Sequence, residues 1–206
     1  MPNLPDCDDL FQRFFAPWYS EVDLASRGFE ATRPDLLCYG DHIGRPAAEL
    51  SRLHPDAQAG VIQHLSVAMT DAAIGDFGKL VGLEPPLSGR WIQAIDQYYD
   101  EQHIAELIAE SDPTDDANSY LITCIELGTL IAKMLQAMVP DLEWWAESPY
   151  WESSLWHPAT GHMIPPTHWA IKKFSGYGWD DGLAPKIFAA VQALREDTHD
   201  NEDKTG

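Results

Sequence analysis

The chain has 206 residues, 45% of them hydrophobic and 22% charged, which suits a folded protein with a proper core, as one domain or two small ones, and argues against disorder. Its 13 Lys and Arg stand against 33 Asp and Glu, a formal charge of −20, and the only adjacent bases are Lys172 and Lys173. Nucleic acid and anionic membrane surfaces are therefore poor partners, and a basic protein is a good one.

Residues 4–24 have a helical pattern in two pieces, with Leu10, Phe11, Phe14 and Phe15 as the apolar stripe, Pro17 as the break, and Trp18 and Tyr19 packing the segment onto the body. Residues 27–44, with Gly28, Pro34, Gly40 and Gly44, are expected to form a connecting loop. Helices are predicted over 46–53 and 55–81, the second carrying Val61, Ile62, Leu65, Met69, Ala72 and Phe77 at helical spacing and ending at Gly82. Ser88 is a candidate N-cap for a helix over 89–109, made amphipathic by Trp91, Ile92, Ile95, Tyr99, Ile104, Leu107 and Ile108. The acidic turn at 111–116 is a candidate sub-boundary, and residues 116–138, apolar nearly all round, are expected to be the central buried helix.

After Pro140 the period changes. Residues 142–147, 150–157 and 168–174 are short and aromatic, separated by turn sequences, and predict a small antiparallel meander over about 142–174. A helix over 181–194 closes the domain, and the tail at 196–206 is expected to fray. The fold class expected is α+β: a mostly helical N-terminal two-thirds, the meander and a C-terminal helix, in a single domain over 1–206.

The charge is not spread evenly. Between Trp91 and Ile171 the one base is Lys133, against thirteen acids, and six of the eight tryptophans fall between Trp144 and Trp179. Adjacent residues of a strand face opposite sides, so some of these indoles should reach the surface unless both faces of the meander are covered. Acids to steer a basic partner and exposed aromatics to anchor it would together make a binding surface. The residues expected there are Asp96, Asp100, Glu143, Glu147, Trp145, Tyr150, Trp151 and Trp156.

Three other constellations carry chemistry. Glu152, His157, His162 and His168 supply one carboxylate and three imidazoles within seventeen residues, ligand types that suit zinc or iron, although no standard ligand spacing is present. Without such spacing these histidines read as polar ends of aromatic strands, so no cofactor is expected. Asp96, Asp100 and His103 fall on a narrow arc if residues 89–109 form one helix, and could share an ion or a proton, or simply edge the helix. Glu126 is the one acid in the most apolar helix. It would be a catalytic acid or base, a receptor for a partner's arginine, half of a salt bridge to a neighbouring element, or simply exposed at the helix edge.

Three cysteines, Cys7, Cys38 and Cys124, are widely spaced and imply no disulfide framework; Cys124 reads as a core residue. The N-terminus carries Asp6, Asp8 and Asp9 and lacks a signal-peptide pattern, so a cytoplasmic location is expected. No phosphate loop or G-x-S-x-G setting occurs around Ser153 and Ser154.

A helix bearing Leu127-Gly128, a strand with Trp144 and a proline-led segment ending Trp169-Ala170-Ile171-Lys172-Lys173 resemble bacterial families found among toxin–immunity neighbours. The likeness covers about residues 115–175 and implies an immunity protein that neutralises a cognate basic toxin by occlusion, with no shared catalytic residues. Binding is thus favoured over catalysis. The alternatives are a small metal-dependent hydrolase built on the His/Glu cluster and a carbohydrate- or small-ligand-binding domain. A homodimer would be a rival use of the aromatic surface.

Overall fold

The computed structural model describes residues 4–19 and 55–205, with side chains through residue 196. The expectations for residues 20–24, 27–44 and 46–53 lie outside the described residues. The fold is α+β and mostly helical, with a small three-stranded antiparallel sheet and a C-terminal helix.

Helix α1 (Cys7–Phe14) starts at Asp6, whose carboxylate accepts from the Asp9 N–H at 2.8 Å, and passes through a 3₁₀ turn at Ala16–Trp18. Its stripe of Leu10, Phe11, Phe14 and Phe15 is fully buried. Residues 55–81 are helical throughout: α2 (Pro55–Gln63), a π-helical stretch (His64–Met69) and α3 (Thr70–Val81). The widened turn is held by the Thr70 hydroxyl, which donates to the Leu65 carbonyl five residues back. Gly82 ends α3 in the left-handed conformation (φ 66°), where a side chain would be strained.

The helix expected over 89–109 is two helices. α4 (Gly89–Tyr98) stops at Tyr99, and α5 (Glu101–Glu110) begins with Asp100 as N-cap, its carboxylate taking the His103 N–H at 2.9 Å. An aspartate satisfies free helix-start donors well, and here that local bond outweighs the continuous apolar period. α6 (Ser119–Met138) is the central helix, capped by Asn118 and buried along most of its length. It is long and apolar enough to cross a bilayer, yet its apolar faces are spent on α3, α5 and α7 (Pro166–Lys173). The α6–α7 crossing is close: a Cβ on Gly128 would lie 2.8 Å from the Thr167 Cα.

The meander is smaller than the aromatic runs suggest. β1 (Glu143–Trp145), β2 (Ser154–Trp156) and β3 (Met163–Ile164) pair in sequence order, with Trp144 opposite Leu155 and Leu155 opposite Ile164. Tyr150–Glu152 is a 3₁₀ turn, and residues 168–174, expected as the last strand, belong mainly to α7. Pro166 sits at the first position of that helix, where its missing N–H costs nothing and its fixed φ favours the turn. α8 (Leu183–Thr205) runs well past the expected end at Leu194, through the residues expected to fray.

Candidate functional site

The expected aromatic surface is mostly core. Trp144 is 8% exposed, and Trp145, Trp151 and Trp169 are 7% exposed each. The Trp144, Leu155, Ile164 row faces the main core, while on the other sheet face Trp145 and half-buried Trp156 meet edge-to-face with ring centroids 5.7 Å apart. Trp151 packs edge-on against Phe15 and Tyr19. Tyr150 is half-buried against the His64 ring. Trp145 and Trp151 are therefore not open anchors: both sheet faces are covered, because indoles this large are more stable packed than wet.

The acids divide in the same way. Asp100 and Glu143 are exposed, and Glu147 is buried. Asp96 is used internally: one oxygen lies 3.3 Å from the Lys173 Nζ, and the other accepts the Leu183 N–H at 2.9 Å. Lys173 also donates to the Trp179 carbonyl at 2.6 Å, so this buried ammonium ties α4, α7 and the start of α8 together. The break at Tyr99 separates Asp96 from the Asp100–His103 pair, which is a local cap with the His103 Nδ1 2.8 Å from the carboxylate. The capping N–H and the imidazole hold Asp100 below the usual carboxylate range.

The four residues of the metal alternative form two pairs. Glu152 Oε2 lies 2.9 Å from His168 Nε2, both side chains almost wholly buried, and Tyr19 donates its hydroxyl to the other Glu152 oxygen. The Trp151 indole N–H donates to that same Tyr19 oxygen at 3.4 Å. His157 and His162 sit on the separate 157–162 turn, where the His157 N–H donates to the His162 carbonyl and its ring meets the Thr160 hydroxyl at 3.0 Å. Burial pushes the His157 pKa down. Among the described residues no group of three or more His, Cys, Asp or Glu is placed to hold a metal ion.

Glu126 is the site residue whose placement says most. It is 7% exposed, and its carboxylate has neither hydrogen-bond nor ion-pair partner among the described residues. It lines a cleft of about 290 Å³ with Asp76, Phe77 and Leu80 of α3, Tyr99, Ala117, and Ser119, Ile122 and Thr123 of α6. Burial and then the Asp76 charge raise its pKa from 4.5 to about 7. Burial, first of all, also keeps the Tyr99 phenol protonated, with Glu126 among the charges that add to the effect. Exposed Lys79 lies 3.8 Å from Asp76.

Phe77 and Tyr99 are expected from sequence only as apolar helix positions, and the sequence assigns no cleft residue but Glu126 to a site. One signal was there: Ser119, Thr123 and Glu126 recur at helical spacing with Ile122, a polar stripe on an otherwise apolar helix. Asp76 and Tyr99 come from other elements, and no local pattern places them beside it. Comparison with family models, with curated proteins and with solved structures finds no match.

Proposed function

We propose that this chain is an acidic, cytoplasmic binding protein of the immunity type, which captures a basic protein partner and neutralises it by occlusion. The observation that supports this most directly is the uncompensated acid of the α5 to α6 region. Glu106, Glu110, Asp112, Asp115 and Asp116 are all exposed, and none pairs with Lys or Arg among the described residues. Asp112 is held below the usual carboxylate range by the Thr114 N–H and hydroxyl. A field of one sign on a rigid helix and its following turn accelerates encounter with a basic surface and rejects acidic ones.

The recognition surface expected from sequence thereby shifts: Asp100 and Glu143 remain available, while the charge centre moves to residues 106–116. The aromatic share of the interface falls to the partly open rings, Tyr150 and Trp156. Immunity as the biological class comes from the resemblance of residues 115–175, and the charge arrangement is what a basic toxin would meet.

The test is capture of the products of neighbouring reading frames at low and high salt, followed by kinetics with Glu106, Glu110, Asp112, Asp115 and Asp116 each reversed to Lys. The expected result is one basic partner whose association slows with every reversal and with added salt, while release changes little. An association rate indifferent to salt and to all five reversals would overturn the proposal.

A further inference from the structure

The cleft between α3 and α6 is a built feature rather than a gap in packing. At about 290 Å³ it is at the small end of ligand sites, the size of a side chain or a small amine rather than a cofactor. Its lining combines apolar Phe77 and Leu80 of α3 and Ile122 of α6 with Ser119 and Thr123 of α6. Glu126 lines it, 7% exposed, its carboxylate open to the cleft and without a hydrogen-bond or ion-pair partner among the described residues. Burying a carboxylate without a partner is costly, and a protein normally removes that cost with a cation or hydrogen-bond donors, as this one does at Asp96 with Lys173. Among the described residues, the other charged and titratable groups that line the cleft are Asp76, with exposed Lys79 beside it, and the Tyr99 phenol, which burial keeps protonated. Lys133, seven residues beyond Glu126 on α6, is about 10 Å further along the axis and exposed, so it does not fill the role.

We infer that this cleft binds one alkylammonium or guanidinium group, with Glu126 as its counter-charge, Asp76 as a second acid at the mouth, and Phe77, Leu80 and Ile122 along the alkyl stem. An anion would meet two carboxylates there, and a purely apolar group would leave Glu126 bare, so the chemistry selects a cation on a short apolar chain. The Tyr99 ring adds an aromatic surface suited to a cation. The source is a Lys or Arg side chain of the basic partner, and in that respect alone the inference rests on the proposed function.

The test uses the full chain with n-butylammonium and n-butylguanidinium as probes and n-butanol as the neutral control, followed by NMR of a ¹³C-labelled Glu126 carboxyl. Either cation should lower the pH at which Glu126 titrates, and its affinity should rise with pH through that titration and then level off. Glu126→Gln, which keeps shape and removes charge, should weaken both cations at least tenfold and leave butanol unchanged. Equal cation affinity in Glu126→Gln, or cations that bind while the Glu126 signal stays still, would overturn the inference. The source is decided separately, with the captured partner. Faster partner release from Glu126→Gln, with the salt dependence of association kept, supports an inserted side chain. Unchanged partner release, with the small cations still lost, overturns that source in favour of a free amine. Loss of salt dependence in the parent chain sinks the partner proposal and leaves the cleft standing.

Discussion

Two glutamates of this protein are almost equally buried, Glu152 at 4% exposure and Glu126 at 7%, and they are treated in opposite ways. Glu152 receives the His168 imidazole on one oxygen and the Tyr19 hydroxyl on the other, so that α1's extension, the 3₁₀ turn and α7 meet on one carboxylate. Glu126 sits in the most apolar helix and its carboxylate receives nothing from the described residues, while its surroundings open into a cleft. Desolvation opposes the charged form in both places. What differs is whether the fold supplies the compensation itself or leaves it to a ligand. A closed carboxylate holds elements together, and an open one is available for recognition.

The sharpest way to break that comparison is to make the same substitution at both positions. Glu152→Leu strands the Tyr19 hydroxyl and the His168 imidazole in the core and should cost about 3 kcal/mol of stability, on the scale of breaking a buried pair. Glu126→Leu removes a charge that no described residue compensates, and should be neutral or stabilising by about 1 kcal/mol at pH 8. Urea unfolding midpoints of the two variants decide it; equal losses would mean that Glu126 is internally paired after all.

Gly128→Ala comes next in size. The added methyl would lie 2.8 Å from the Thr167 Cα and 2.9 Å from its N, backbone atoms that cannot swing aside, so about 1–3 kcal/mol should be lost as α7 is pushed off α6. His168, the next residue on α7, should move with it while the Glu126 cleft, on the α3 side, keeps its titration. NMR of the His168 ring and the Glu126 carboxyl reads both. A disturbance confined to Glu126 would contradict the separation of the two regions.

How much of this was legible in sequence follows the range of the interactions involved. The α1 stripe, the central helix and the closing helix rest on periodicity, and most of their apolar positions are buried, with Phe188 of the closing helix an exposed exception. The break at Tyr99 escaped, because Asp100 lies on the same arc as its neighbours and only its capping bond reveals a new helix start. The last strand was misplaced because Trp169 to Phe174 suits a sheet by residue type, whereas Pro166 and the close approach at Gly128 commit it to a helix. Tryptophans were expected at the surface because alternation exposes half of a free-standing strand pair; packing on both faces removes that exposure. Glu126 could be flagged from sequence but not placed, since what faces it comes from α3 and from the end of α4, fifty and twenty-seven residues away.

The smallest expected effect is also the most specific to the open carboxylate. With a pKa raised from 4.5 to about 7, Glu126 keeps a proton in the folded state that the unfolded chain has already released between those values. Folding is therefore progressively disfavoured as pH rises through that window, and above it no further loss comes from this group. Glu126→Gln cannot titrate. Its stability relative to the parent chain should climb from about pH 4.5, level off above about pH 7, and stay level to pH 8. Taking the difference between the two proteins in urea at each pH cancels the exposed acids they share, including Asp100 and Asp112. A difference that is flat across the window would place Glu126 in ordinary solvent contact; one that falls would mean that its charged form is stabilised by a partner.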